Sequence, residues 1–333
     1  MALPGARYCS SISINKLKEL WKSLMKFAFY FPGQGSQSVG MMQGFGDLAV
    51  IRDTFVEASD ILGEDFWLMA TEPNEALNQT ANTQPLMLTA GIATWRAWQA
   101  IDGAQPNVMA GHSLGEYAAL VAAGALAFKD ALPLVLYRAV VMQSAVAEGV
   151  GAMAVILGLD DNTVRAICTE AAQGQVLEAV NLNSPGQVVI AGHKAAVERG
   201  MELAKAKGAK RALSLPVSVP SHCALMKPAA EKLQDYLQSV SMGTCQIPVL
   251  HNADVAAYND SEKIKDALVR QLYSPVRWVE TVRAVYAQGI TGSAECGPGK
   301  VLTGLAKRII AELPCIALVS QDALITAQTE FNI

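Results

Sequence analysis

The sequence predicts an α/β fold: a mostly parallel sheet covered by helices on both faces, interrupted by a small inserted β-α-β-β-α-β unit. Short apolar runs alternate with longer segments of helical spacing from Lys26 to Glu148. The rhythm changes to closely spaced strands between Gly151 and Leu215, and the alternation resumes beyond Pro216. Strands that alternate with helices form parallel sheets buried on both faces. The order strand-helix-strand-strand-helix-strand is that of the ferredoxin-like unit.

Each element has a local reason. Lys26 to Phe31 is a buried strand closed by a Pro-Gly turn. Ala81 to Ile101 has apolar residues at helical spacing, with Asn82 or Thr83 as the expected cap. Asn107 to His112 is a short strand, followed by an Ala-rich helix and a second helix from Lys129 to Glu148. In the insert, Gly151–Leu157, Val176–Asn183, Gln187–Ala191 and Arg211–Leu215 are strands. Asp160–Gln173 and His193–Lys207 are its helices, and Ser184-Pro185-Gly186 is a turn. A helix then starts near His222, a strand runs through Val249 and Leu250, and helices cover Ile264–Leu272 and Val276–Ala287. A last short strand precedes Gly297-Pro298-Gly299.

The expected organisation is a discontinuous large α/β domain, 25–149 and 217–320, around a ferredoxin-like insert, 150–216, with a C-terminal tail at 321–333. Residues 1–24 carry Arg7, Lys16, Lys18 and Lys22 against Glu19 and have no long apolar stretch. A transit peptide, a basic amphipathic arm and a translated leader all fit. Met25, directly before the first strand, favours a leader outside the fold.

With 51% hydrophobic and 17% charged residues among 333, the chain has material for a large core. A net charge of −4 argues against nucleic acid as the main partner. The six cysteines form no CxxC pair, which argues against a zinc site and fits free thiols in a reducing compartment. No run approaches the length of a membrane span.

Gly111-His112-Ser113-Leu114-Gly115 matches G-x-S-x-G between a strand and a helix, the context in which a serine is turned outward as a nucleophile. A serine hydroxyl needs a base, and the chain has four histidines. His112 adjoins the serine and should point away. His193 reads as a helix cap or a solvated residue. His222, where the chain leaves the insert, ranks ahead of His251, which remains a candidate. The loop Pro32-Gly33-Gln34-Gly35-Ser36-Gln37 is either a plain tight turn or a source of backbone N–H for an oxyanion. It is no phosphate loop, because Met41-Met42 stand where Lys-Ser/Thr is required. Arg138 lies in a nearly all-apolar helix. Its partner is either a protein carboxylate or a carboxylate on the substrate.

These residues together resemble the bacterial malonyl-CoA:acyl-carrier-protein transacylases of fatty-acid synthesis. The resemblance is carried by Phe31–Gln37, Gly111–Tyr117, Arg138, Asn183–Val188, Val217–Cys223, Gln271–Tyr273 and Gly297–Lys300, and it extends from Lys26 to near Leu318. It implies a hydrolase-like large domain carrying the ferredoxin-like insert. It implies Ser113 as nucleophile, His222 as base, the N–H groups of Gln34 and Leu114 as the oxyanion hole, and Arg138 as the malonyl carboxylate's partner. The main-chain carbonyl of Gln271 would orient the histidine. Malonyl-CoA and an acyl carrier protein would be the partners, with neither nucleic acid nor membrane, and no metal or redox cofactor is expected. A cytoplasmic monomer is expected. Lys205, Lys207, Lys210 and Arg211 are candidates for docking an acidic carrier, or ordinary solvated helix-end charges.

The alternative enzyme is a serine esterase or thioesterase, which would want an acid and a late histidine; none follows His251. A non-catalytic docking module is the other class, and the presence of Ser113, His222 and Arg138 together argues against it. A chain beginning at Met25 is expected to keep its melting temperature and activity. Thermal melts and transfer assays check this, and a large loss in either would show that residues 1–24 pack on the fold.

Overall fold

The computed structural model describes residues 25–217 and 219–331. The first stretch runs β1 (Phe27–Phe31), α1 (Ala49–Leu62), α2 (Phe66–Thr71), α3 (Thr80–Ala100), β2 (Val108–Gly111), α4 (Gly115–Ala122) and α5 (Phe128–Ser144). The insert holds β3 (Gly151–Leu157), α6 (Asp161–Ala172), β4 (Leu177–Ser184), β5 (Gln187–His193), α7 (Lys194–Ala206) and β6 (Arg211–Ser214). The last stretch holds α8 (Lys227–Gln238), β7 (Val249–Leu250), α9 (Ser261–Gln271), α10 (Trp278–Ala287), β8 (Gly292–Glu295), α11 (Val301–Ile309), β9 (Cys315–Ala317) and α12 (Gln321–Phe331).

β1 is central in a five-stranded sheet of order β7-β2-β1-β8-β9, and every pairing in it is parallel. Its side chains alternate between two cores, as the period of a strand requires. Phe27, Phe29 and Phe31 enter the core shared with α3, α4 and α5. Ala28 and Tyr30 enter the core on the other face, with Trp278, Val282 and Leu305. Both faces are therefore covered, which is why β1 reads as an unbroken apolar run.

The second sheet has the order β4-β5-β3-β6, all antiparallel, with α6 and α7 over one face. Asp160 caps α6 by accepting from Thr163 N at 3.0 Å, as its position suggested. The insert is tied to the large sheet's side of the molecule by main chain. Val276 N donates to Val180 O at 2.8 Å, and Leu182 N to Val276 O at 3.0 Å. That bridge holds Val276 outside α10, which starts at Trp278, two residues later than expected.

Three expectations are corrected. α3 starts at Thr80 with Gln79 as its N-cap residue, so Asn82 and Thr83 lie inside it. Their side chains donate back to the carbonyls of Ala76 and Leu77, which serves the preceding turn instead of capping the helix. No α-helix begins at His222: its φ is +67° and its N–H is held by Leu272 O at 2.9 Å, so α8 starts at Lys227 after a short 3₁₀ turn. Residues 321–331 form α12 rather than a tail, with Leu324, Ala327 and Phe331 buried along one face. The expected leader, 1–24, lies outside the described residues.

Phe331 stacks on Phe27 with ring centroids 4.3 Å apart and approaches Trp98 at 6.2 Å. Phe331→Ala should therefore lose about 3 kcal/mol or more of stability, read as a lowered midpoint in denaturant unfolding. An unchanged midpoint would mean that α12 adds nothing to the core.

Candidate active site

β2 ends at Gly111 and α4 begins at Gly115, so the chain reverses over three residues. A Cβ on Gly111 would fall 1.9 Å from the main chain of Gly115, and one on Gly115 would fall 2.0 Å from Phe31 O. No side chain fits at either position. The turn puts Ser113 in the left-handed region at φ +52°, a conformation that costs about 1–2 kcal/mol for an L-residue. Asn252 braces it from both sides. Its Oδ1 accepts from Ser113 N at 2.7 Å, and its Nδ2 donates to Gly111 O at 2.6 Å. The β1 loop is pressed onto the same turn, since a Cβ on Gly33 would lie 2.4 Å from His112 O.

Ser113 Oγ lies 2.8 Å from His222 Nε2, and His222 Nδ1 lies 2.8 Å from the carbonyl of Gln271. Because that carbonyl can only accept, Nδ1 carries the proton and Nε2 presents its lone pair to the serine. Burial, then the nearby Arg138 charge, pull the imidazole down to about 3, and the Gln271 carbonyl opposes them.

Arg138 is buried, 1% exposed, and makes no ion pair among the described residues. Two neutral amides hold it. Nη1 donates to Gln84 Oε1 at 2.7 Å and Nη2 to Gln271 Oε1 at 2.9 Å. Nη2 also lies 3.2 Å from Ser113 Oγ. Among the described residues Nε has no partner, and the guanidinium carbon sits 5.4 Å from the centre of the Tyr117 ring. Burial lowers the guanidinium's hold on its proton.

Beneath the turn, Glu116 gathers three donors: Asn252 N at 2.9 Å, Gln271 Nε2 at 2.9 Å, and His251 Nδ1 at 2.7 Å. Gln271 Nε2 also donates to Ser113 O at 3.0 Å. With its NH₂ turned to these two acceptors, the Gln271 amide can offer Arg138 only its oxygen. Glu116 thus sets the orientation of the group that orients the arginine.

The cavity above Ser113 is lined by Gln34, Gln84, Leu114, Arg138, Met142 and His222, among others. It opens between the large domain and insert residues such as Met153 and Asn181. The structure brings Ser113, His222, Arg138, Gln271, Gln34 and Leu114 to one place. Ser113 N is taken by Asn252, while among the described residues Leu114 N–H has no protein acceptor. His112 turns to the insert, with Nε2 2.8 Å from Asn183 Oδ1. His193 Nδ1 accepts from Val176 N at 3.0 Å. His251 is fully buried against Glu116 and Tyr258. Lys205 and Lys207 have local carboxylate partners, Glu202 and Glu170, each at 2.8 Å.

Sequence reasoning missed Glu116, Asn252, Gln84 and the side chain of Gln271. Glu116 carried the same signal as Arg138, a lone charge among apolar residues of a short helix. Asn252 and Gln84 carried none, because an uncharged amide on a buried face resembles any other polar residue.

A family model described as the acyl transferase domain matches residues 28–319. The malonyl CoA-acyl carrier protein transacylase of Salmonella typhimurium is 54% identical over 309 residues, covering 92% of this chain and 100% of the relative. The Bacillus subtilis protein of that name is 42% identical over 304 residues, covering 90% and 96%. The acyl-carrier-protein S-malonyltransferase of Burkholderia pseudomallei superposes with a TM-score of 0.90 at 59% identity, covering 92% of this chain and all of that one. A malonyl-transacylase in complex with a type II PKS acyl-carrier protein superposes with a TM-score of 0.90 at 54% identity, covering 92% and 99%.

The geometry separates the two histidine candidates by experiment. Labelling of Ser113 by a sulfonyl fluoride should slow about 10²–10⁴-fold in His222→Ala. His251→Ala should leave labelling much closer to wild type but lower the melting temperature, because Glu116 loses a buried partner. The reverse pattern in mass spectra and melts would reassign the base.

Proposed function

The chain belongs to the malonyl-CoA:acyl-carrier-protein transacylases, and on that premise we propose that Ser113 carries the malonyl group between its two thiol partners. The enzyme is an acyltransferase that moves malonyl from malonyl-CoA to the phosphopantetheine thiol of an acyl carrier protein. The observation that carries the assignment of roles is Ser113 Oγ lying 2.8 Å from His222 Nε2 and 3.2 Å from Arg138 Nη2.

Acylation begins as Ser113 Oγ attacks the thioester carbonyl and His222 Nε2 takes its proton. The N–H groups of Gln34 and Leu114 receive the oxyanion. Collapse breaks the C–S bond, and the imidazolium returns the proton to the departing CoA sulfur. In the second half the pantetheine thiol gives its proton to Nε2 and its sulfur attacks the malonyl ester. The Oγ–C bond breaks and Oγ recovers the proton. Arg138 holds the free carboxylate through its planar fork. No step runs through a metal or a redox cofactor. We place the enzyme in the cytoplasm as a monomer; among the described residues no helix is long and apolar enough to cross a membrane.

Intact-mass measurement after mixing with malonyl-CoA should show a malonyl adduct that holo carrier protein removes. An adduct lost to water as fast as to the carrier would favour the esterase or thioesterase reading. Arg138→Ala should cut malonyl transfer by about 30-fold or more, since truncating one partner of a desolvated charge pair costs about 2–5 kcal/mol. Transfer of acetyl, which leaves the guanidinium unpaired in wild type, should hold steady or rise. Comparing kcat/KM for malonyl-CoA and acetyl-CoA checks it, and an unchanged selectivity ratio would return Arg138 to a structural role.

A further inference from the structure

We propose that Arg138 restrains Ser113 and His222 in the empty site and that the substrate's own carboxylate releases them, so that malonyl is selected in the rate of acylation and not only in binding. The proposal rests on the malonyl-serine reading above.

Three features of the site carry it. First, Arg138 is a buried cation whose protein partners, Gln84 and Gln271, are neutral amides. Among the described residues no carboxylate forms an ion pair with it. The Glu116 carboxylate acts on it only from beyond the Gln271 amide, so an anionic ligand would be its first direct ion-pair partner, and a buried charge acts strongly on its neighbours. Second, its Nη2 reaches Ser113 Oγ at 3.2 Å, with His222 Nε2 on the other side of that oxygen at 2.8 Å. Third, two changes within acylation run against a cation at that spot. As Oγ bonds to the acyl carbon it loses electron density and becomes a poor acceptor, while His222 becomes an imidazolium. Both changes are opposed by a positive charge beside them. A carboxylate paired with the guanidinium cancels that charge and draws the donor off Oγ.

The groups facing His222 identify which one a substrate can change. The Gln271 carbonyl comes from α9, His112 and Ser113 from the turn, and Arg138 from α5. Glu116 lies behind the Gln271 amide. Burial lowers the proton affinity of His112, against its hydrogen bond to Asn183. Arg138 is the permanent cation of the set, and after burial it is the largest influence holding the imidazole low. Malonyl neutralises it and acetyl does not.

The test is the pH dependence of the single-turnover acylation rate at saturating CoA ester, which removes differences in binding. A base works only when unprotonated, so the rate falls as pH drops through its pKa in the complex, and a raised pKa moves that limb to higher pH. In wild type the limb for malonyl-CoA should lie at least about one pH unit above that for acetyl-CoA, a tenfold change in the histidine's proton affinity. In Arg138→Ala the acetyl limb should rise toward the malonyl position, and its plateau rate should increase. Gln84→Glu, which gives the guanidinium a carboxylate within the protein, should move the acetyl limb in the same direction. Coincident limbs for the two esters in wild type, with selectivity confined to KM, would overturn the restraint while leaving the malonyl-serine reading intact. Failure of malonyl-CoA to form any adduct on Ser113 would instead overturn that reading.

Discussion

Glu116 is a carboxylate with no exposure to water, and the arrangement of the site follows from the need to satisfy it. A buried charge is tolerated only when it is well paired. Here three donors come from two places in the chain: His251 with the backbone of the adjacent Asn252, and the Gln271 amide. Each donor then has its second function decided for it. Asn252, fixed by its backbone N–H, turns its side chain to Ser113 N and Gly111 O. Gln271, fixed by its NH₂, gives its amide oxygen to Arg138 and its carbonyl to His222. One carboxylate beneath the turn thereby fixes Ser113, His222 and Arg138 relative to one another.

The histidine is oriented by a main-chain carbonyl rather than by an acid. A carbonyl fixes the tautomer as well as a carboxylate does, but it adds no full negative charge to stabilise an imidazolium. With Arg138 close by, the electrostatics of the empty site favour a neutral imidazole. On the proposed reading an anionic acyl group alters that balance by its own charge, and recognition and chemistry share one side chain.

Of the five described non-glycine residues with left-handed backbone, two meet at the site. Ser113 and His222 both adopt left-handed φ, and each is held there by neighbours: Asn252 and Gln271 at Ser113, Leu272 O at His222. The residues that supply this restraint lie at the end of α9 and just after β7. The insert contributes walls to the cavity, and its contact through Asn183 turns His112 away from the serine.

The parallel sheet, the β-α-β-β-α-β insert and the serine turn were legible in the sequence. These follow from local periodicity and from glycines at positions where no Cβ fits, which are properties of neighbouring residues. The sequence also marked Arg138, because a lone charge in an apolar helix stands out wherever its partner lies. The packing of residues 321–331 was not legible: what seats their apolar face is Phe331 stacking on Phe27, nearly the whole chain away. The sequence ranked His222 ahead of His251 without excluding either; the tertiary structure adds the distance, 2.8 Å from His222 Nε2 to Ser113 Oγ, while His251 faces Glu116. The tertiary structure alone revealed Gln84, Asn252 and the side-chain role of Gln271. Their hydrogen bonds join residues 54 to 158 positions apart, and a neutral amide carries no sign of its partner until folding brings the two together.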